Sequence, residues 1–235
     1  MIEAGLEFAN ARLQEVLQAL FALPADLRPS RYSRGEDEPA TVIVELDEFL
    51  ASTERKAPGP LLIAPRGTYD ISIPEDKPLV CVCFLDVEPM LAKEFMLHMA
   101  TAKPRFGFAC APEEREHRNR IKTKQGENLI ESWVGRDLEQ YIPGLYWLTL
   151  VPEVLAKKHD VPLSALKKIA REHIVVEDDQ HLFRFYENPN DWKSTGDVAR
   201  LCASLPGIFD IEQIRTQLMS AKTFLDLNAL VRRWK

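Results

Sequence analysis

Several side chains in this sequence have the chemistry of metal ligands, and the cysteines are the most closely spaced of them. Cys81 and Cys83 lie two residues apart in an apolar run, so both thiols would point to the same face of a strand. A zinc site would need about four ligands, and only His98 or Cys110 could complete it. Structural zinc sites usually separate paired cysteines by two or more residues, which is not the case here. We therefore expect the cysteines to pack as small apolar side chains and predict no metal site.

A carboxylate and a histidine three residues apart are the second candidate. Glu114 and His117 would share one face of a helix, a spacing that occurs in carboxylate and histidine metal sites. Such sites in helical bundles use two matching pairs, and this is a single copy. A solvated, salt-bridged helix face is therefore the favoured interpretation of this pair.

No motif of a common enzyme class accompanies these residues. The sequence has no Gly-x-Ser-x-Gly elbow, no Gly-x-x-x-x-Gly-Lys loop and no Gly-x-Gly-x-x-Gly turn, and it has only ten glycines. The acid pairs Asp86 with Glu88 and Asp178 with Asp179 lack a neighbouring partner, so turn and cap roles are expected for them. We predict no catalytic residue and no cofactor. The alternative is an enzyme that uses His117 and carboxylates.

The distribution of charge is more informative than any motif. Seven acids and no Lys or Arg lie between positions 36 and 54: Glu36, Asp37, Glu38, Glu45, Asp47, Glu48 and Glu54. A second acidic group surrounds a predicted hairpin: Glu172, Glu177, Asp178, Asp179, Glu187 and Asp191. Attraction between an acidic face and a basic protein speeds their encounter. These groups indicate a basic protein partner, with ordinary solubility as the alternative explanation.

Composition limits the remaining classes of function. The 235 residues are 46% hydrophobic and 28% charged, which is typical of a soluble globular protein. The formal net charge of -6, and a basic stretch at 115–124 that lacks aromatic residues, argue against direct binding of nucleic acid. The apolar runs are strand-sized and the N-terminus is acidic, so we expect no membrane span and no secretory signal. Four cysteines do not suggest a disulfide framework, and the cytoplasm is the expected location.

Hydrophobic periodicity predicts several short strands along the chain. Alternation at 41–46 would turn Val42, Val44 and Leu46 toward the core, with Ile43 as an exception. Further strands are predicted at 68–73, 79–85, 106–110 and 145–151, of which 79–85 is the best candidate for a central strand because both of its faces are apolar. Residues 173–177 and 181–187 are predicted to pair as a hairpin.

Helices are predicted between and after these strands. Apolar residues at steps of three or four predict a helix over 2–21, followed by an exposed connector at 23–39. Pro89 and Pro152 suit helix starts, with Asp86 as the expected cap of the first, and the C-terminal third is helical in pattern. For 113–124 a mobile loop is slightly favoured over a solvated helix. We predict a single α+β domain over 1–235 with a mixed, largely antiparallel sheet and several packed helices, although two small lobes are also compatible with the pattern.

Two segments resemble bacterial immunity proteins of contact-dependent toxin systems. They are LPADLRPSRYS at 23–33, after the opening helix, and YIPGLYWL at 141–148. The likeness spans much of the chain and is to the family that accompanies type VI secretion and polymorphic toxins with a restriction-endonuclease-like nuclease domain. Trp147, in the second segment, is expected to pack in the core rather than to contact a toxin.

The resemblance implies an immunity protein, or antitoxin, that binds and neutralises a cognate nuclease effector without turnover. It would cover the active site of the toxin or block its self-association. Acidic loops could imitate the DNA backbone electrostatically. The hypothesis for the toxin-binding residues is the following set: Glu36, Asp37, Glu38, Asp47, Glu48, Glu177, Asp178 and Asp179. An adaptor or chaperone for a secreted effector is a further alternative.

Overall fold

Strands and helices alternate through the computed structural model, which describes residues 1–34, 38–53, 59–74, 79–125, 127–177, 179–194 and 196–234. The strands are β1 (Ile2–Ala9), β2 (Arg31–Ser33), β3 (Thr41–Val42), β4 (Leu61–Ala64), β5 (Gly67–Ser72), β6 (Leu79–Val87), β7 (Phe106–Cys110), β8 (Arg120–Gln125), β9 (Asn128–Trp133), β10 (Leu148–Pro152), β11 (Glu172–Val176) and β12 (Gln180–Arg184). The helices are α1 (Leu13–Phe21), α2 (Leu46–Ser52), α3 (Pro89–Ala100), α4 (Pro112–Asn119), α5 (Glu153–Lys158), α6 (Leu163–Ile169), α7 (Gly196–Ser204), α8 (Ile211–Met219) and α9 (Phe224–Arg233).

Ten of these strands form one antiparallel sheet. Their order is β11-β12-β10-β7-β1-β6-β5-β4-β2-β3, and β8 pairs with β9 in a separate hairpin. The N-terminal strand β1 is therefore central, between β6 and β7. The predicted α+β class, with a largely antiparallel sheet and packed helices, is confirmed.

The main core lies on one face of the sheet, which we call the inner face. It carries the fully buried side chains of alternate residues in the central strands, such as Leu6, Tyr69 and Phe84. Phe95 of α3 packs on this face, with its ring centroid 5.1 Å from Phe84 and 5.6 Å from Tyr69. The residues of opposite parity, such as Gly5, Asp70 and Cys83, form the outer face. A second cluster joins β8 and β9 to α8 and α9.

The predicted helix over 2–21 is wrong in its first half, because residues 2–9 form strand β1. Ile2, Ala4, Leu6 and Phe8 are buried on the inner face, which is the two-residue period of a strand. The steps of three and four that suggested a helix arose because Ile2, Leu6 and Ala9 continue the spacing of the helix that follows. The helix begins only at Leu13.

The strand predicted at 41–46 is shorter than expected, and the side chains that face the core are not the predicted ones. Only Thr41 and Val42 are in β3, and Val42 and Val44 are 61% and 83% exposed. Ile43, the expected exception, is the residue that packs against the core. The connector at 23–39 was predicted to be exposed, yet Leu23 and Leu27 are fully buried beneath the sheet edge.

Smaller corrections concern the helix caps and the charged stretch. Asp86 does not cap α3: it has a φ of 53° at an irregularity in the pairing of β1 with β6, and Glu88 occupies the cap position. The stretch 113–124 is not a loop, because it forms α4 and β8. The hairpin, the central strand β6 and the C-terminal helices are confirmed, and the apolar strand predicted at 145–151 begins at Leu148.

Gly5 provides a test of packing on the outer face. A Cβ atom at this position would lie 2.4 Å from Cε1 of Phe108, whose ring covers the glycine. We expect Gly5→Ala to lower the free energy of unfolding by about 1–3 kcal/mol, because the ring must move. Urea denaturation measures the change. Gly196→Ala is the control, since the nearest atom there is 3.5 Å away; equal effects of the two substitutions would contradict the assignment.

Candidate functional site

Four exposed acids lie together at the β3 end of the sheet, and we call Glu38, Glu45, Asp47 and Glu48 the acidic edge. Helix α2 begins after Glu45 and carries Asp47 and Glu48 in its first turn, where the helix dipole stabilises carboxylates. Phe49 anchors the helix. It is buried against Phe21 and Tyr32, with ring centroids 5.6 Å and 5.0 Å away, so the acids before it face outward.

The acidic edge is unneutralised within the described ranges. No ion pair involves its four carboxylates there. Several other acids in those ranges form short ion pairs with Lys or Arg. The fold also places Arg31 of the neighbouring strand β2 opposite Val42. The sequence pattern did not reveal this. Exposed Val42 and Val44 lie among the acids. The predicted site residues Glu36 and Asp37, and Glu54 of the same acidic run in the sequence, lie outside the described residues.

The second predicted acidic surface, at the tip of the β11–β12 hairpin, is smaller than expected. Glu177 is exposed, Asp179 is half-buried, and Asp178 lies outside the described residues. Glu172 is used internally, since its carboxylate accepts hydrogen bonds from Lys93 at 2.7 Å and from Arg184 at 3.0 Å. These bonds, with Lys93 contributing most, lower the pKa of Glu172. The structure does not bring this tip and the acidic edge together, because β11 and β3 are at opposite ends of the sheet.

A pair of histidines on this hairpin was not singled out from the sequence. Nε2 of His173 lies 3.0 Å from Nδ1 of His181, and the two rings are nearly parallel, so they share one hydrogen-bonding proton. Their positions on adjacent antiparallel strands, next to Phe183, could have been expected once the hairpin was predicted. Burial, followed by repulsion from Lys167, lowers the pKa of both imidazoles.

The histidine pair makes stability dependent on pH. Because both pKa values lie below the ordinary value of 6.5, the folded chain binds fewer protons than the unfolded chain as the pH falls through that value. We expect the free energy of unfolding to decrease between about pH 7.5 and about pH 5.5, and to decrease less steeply in His173→Phe. Denaturation at a series of pH values measures both slopes. Equal slopes would contradict the assignment.

Glu114 and His117 lie on the same helix but do not converge on a site. Glu114 is fully buried, and Oε1 accepts hydrogen bonds from the Tyr186 hydroxyl and, at 2.8 Å, from Nε of Arg118. The predicted solvated face is therefore wrong for Glu114. Burial raises its pKa, although Arg118 and Tyr186 oppose that shift. His117 is exposed instead, with its ring beside Trp192. This arrangement does not give His117 a carboxylate partner on α4.

Most cations of the basic stretch at 115–124 are neutralised by the fold. Arg115 forms an ion pair with Glu3 and lies between the rings of Phe108 and Trp133, 4.9 Å from each centroid. Arg118 is paired with buried Glu114, and Arg120 contacts Glu116 and Glu131. These arginines therefore hold α4 against the outer face of the sheet. They do not form an open basic surface.

Cys81 and Cys83 lie on strand β6, as the sequence predicted, while Cys110 is on β7 and Cys202 is buried on α7. Cys81 and Cys83 lie on the outer face and line a cavity of about 70 Å³ with Phe108, Arg115 and Tyr146. Burial raises the pKa of the Cys81 thiol to about 12 and also raises that of Cys83. Among the residues that the structure describes, no three His, Cys, Asp or Glu side chains are arranged to hold a metal ion.

Comparisons with protein-family models, with curated proteins and with solved structures each find no match for this chain. Within the described ranges, none of the helices is both long and apolar enough to cross a bilayer. The candidate binding site is therefore identified from its geometry alone. It is the acidic edge, whose carboxylates are exposed and whose two valines face solvent.

Proposed function

We propose that this chain is an immunity protein that binds a basic nuclease toxin in the cytoplasm and inhibits it stoichiometrically. The observation that carries the proposal is the acidic edge, which keeps Glu38, Glu45, Asp47 and Glu48 exposed and without ion pairs in the described ranges. The resemblance of the segments at 23–33 and 141–148 to immunity proteins supports the same assignment.

The physical basis is electrostatic complementarity. A nuclease presents a positive surface to the phosphates of its substrate, and unpaired carboxylates attract such a surface over about one Debye length, roughly 8 Å at physiological salt. Internal ion pairs would cancel this field, but the carboxylates of the acidic edge lack them among the described residues. The exposed side chains of Val42 and Val44 add apolar area that a partner can bury. Binding of this kind requires no turnover.

A growth assay tests the proposal. The toxin to be tested is any nuclease-domain protein encoded beside the gene of this chain, produced from an inducible promoter, and the absence of such a gene would count against the proposal. Cells that also make the chain are expected to grow and to keep intact DNA, whereas cells with an empty vector are expected to stop growing. Equal loss of viability in both strains would contradict the proposal. A catalytically inactive toxin is the control that separates poisoning from the burden of expression.

A further inference from the structure

The outer face of the sheet is only partly covered, and its uncovered part adjoins the acidic edge. We call the outward side chains of β3, β2, β4, β5 and β6 the open face. One row of neighbouring residues runs across it from β3 to β6: Val42, Arg31, Ile63, Thr68 and Leu85. The next row consists of Leu61, Asp70 and Cys83. Val42 belongs to both the open face and the surroundings of the acidic edge, so the two surfaces are continuous.

The exposure of these side chains contrasts with the rest of the sheet. Leu85 and Val42 are 37% and 61% exposed, and Leu61 and Ile63 are half-buried. On the inner face of the same strands, Leu62, Tyr69 and Phe84 are fully buried. An antiparallel sheet can leave one face in water, but that face is then usually polar. The face is mixed, since Arg31, Thr68 and Asp70 lie among its leucine, isoleucine and valine side chains, and the apolar side chains that remain partly exposed give it the character of a contact surface.

The covered part of the outer face shows how such a surface is closed. Over β1 and β7, the ring of Phe108 lies against Gly5, and Arg115 of α4 lies on the other side of that ring. The open face presents comparable apolar side chains and has Arg31 in the same row, but Val42 and Leu85 remain exposed there. These strands therefore offer a second surface of the same kind, on which part of another protein can pack.

The size of the open face fits a shared interface. Five strands at a spacing of about 4.8 Å and a length of about 17 Å give a projected area of about 400 Å², which is about half of the ~800 Å² that one partner contributes to a standard interface. The acidic edge extends the same surface and supplies further area. A stable interface has an apolar centre and a polar rim, and the open face and the acidic edge have those two characters.

We propose that the basic partner covers the open face as well as the acidic edge, with Ile63, Thr68 and Leu85 at the apolar centre and the carboxylates at the rim. This proposal rests on the proposed function and names the surface that it uses. Charge complementarity selects the partner, because the rim of acids opposes lysine and arginine side chains. Apolar contact over Leu85 and Ile63 then slows dissociation.

The test compares two double variants with the same change in charge. Thr68→Arg with Leu85→Arg places two cations in the open face, and Val154→Arg with Met219→Arg places two cations at exposed positions elsewhere, which are 73% and 81% exposed. Affinity for the catalytically inactive toxin is measured by calorimetry, with circular dichroism as the check on folding. We expect the first variant to lose at least about tenfold in affinity, and the second less than about threefold.

A second measurement does not depend on the variants. Hydroxyl-radical footprinting of the wild-type complex is expected to protect Leu85 and Ile63 and to leave Met219 reactive. Equal affinities of the two folded variants, or equal reactivity of Leu85 in the free and bound chain, would overturn the inference. If the wild-type chain binds and charge reversal of the acidic edge weakens binding, the proposed function survives that result. If the wild-type chain does not bind the toxin, both the proposed function and this inference are wrong.

Discussion

Glu114→Ala is expected to lower the free energy of unfolding by about 3–5 kcal/mol, since it leaves a buried cation without its partner. The carboxylate of Glu114 is fully buried: it accepts a hydrogen bond from Arg118 of the same helix, and the hydroxyl of Tyr186 joins it to the segment that follows β12. The side chain of Arg118 is only 15% exposed, so water cannot replace the lost carboxylate. Urea denaturation, followed by circular dichroism, measures the change.

A matched substitution on the same helix controls for helix propensity. Glu116 also forms an i,i+4 ion pair, with Arg120, but its side chain is 53% exposed. Glu116→Ala should therefore change the free energy of unfolding by less than about 1 kcal/mol. If Glu114→Ala were equally mild, the buried network would not hold α4 in place, and Glu114 would be available for another role.

Reversing the acidic edge should have the largest effect on binding. The four substitutions Glu38→Lys, Glu45→Lys, Asp47→Lys and Glu48→Lys are expected to lower the affinity for the toxin by about 100-fold at low salt, mainly through slower association. The effect should shrink at high salt, because screening shortens the reach of exposed charges. Surface plasmon resonance at two salt concentrations gives both rate constants.

The control for this variant reverses four other exposed acids that form no ion pair within the described ranges: Asp26, Glu94, Glu113 and Glu127. Both quadruple variants change the formal net charge from -6 to +2, so they differ only in where the charge is placed. The control is expected to lose less than about tenfold in affinity. Equal losses would show that only net charge matters, and an unchanged affinity of the first variant would remove the electrostatic basis of the proposal.

Local patterns predicted much of the fold but not its topology. The hairpin around 177–179 and the short helix Glu153–Lys158 were predictable, since turn residues and Pro152 mark their limits. Strand β1 was missed although Ile2, Ala4, Leu6 and Phe8 alternate along it, because the first apolar residues of the chain also fit the three- and four-residue steps of a helix. The position of Ile2–Ala9 between β6 and β7 depends on contacts more than 70 residues away in the sequence.

The candidate site was predicted in its charge but not in its geometry. Runs of acids in the sequence identified Glu38, Asp47 and Glu48, since no lysine or arginine follows them closely. The outward direction of Val42 and Val44 reversed the expectation from alternation, because Ile43 is the residue that packs inward at this sheet edge. Internal pairing of Glu172 with Lys93 joins residues that are far apart in the chain, so no local pattern indicated it.

Titration of nuclease activity with the purified chain tests the claim of stoichiometric inhibition most directly. A fixed amount of toxin is mixed with increasing amounts of the chain, and cleavage of a DNA substrate is followed after a fixed incubation. The proposal predicts that activity falls linearly and ends at one chain per toxin, whatever the incubation time. Full activity at a large excess of the chain would contradict it, as would a progressive loss of activity at a small fraction of one equivalent, which indicates turnover.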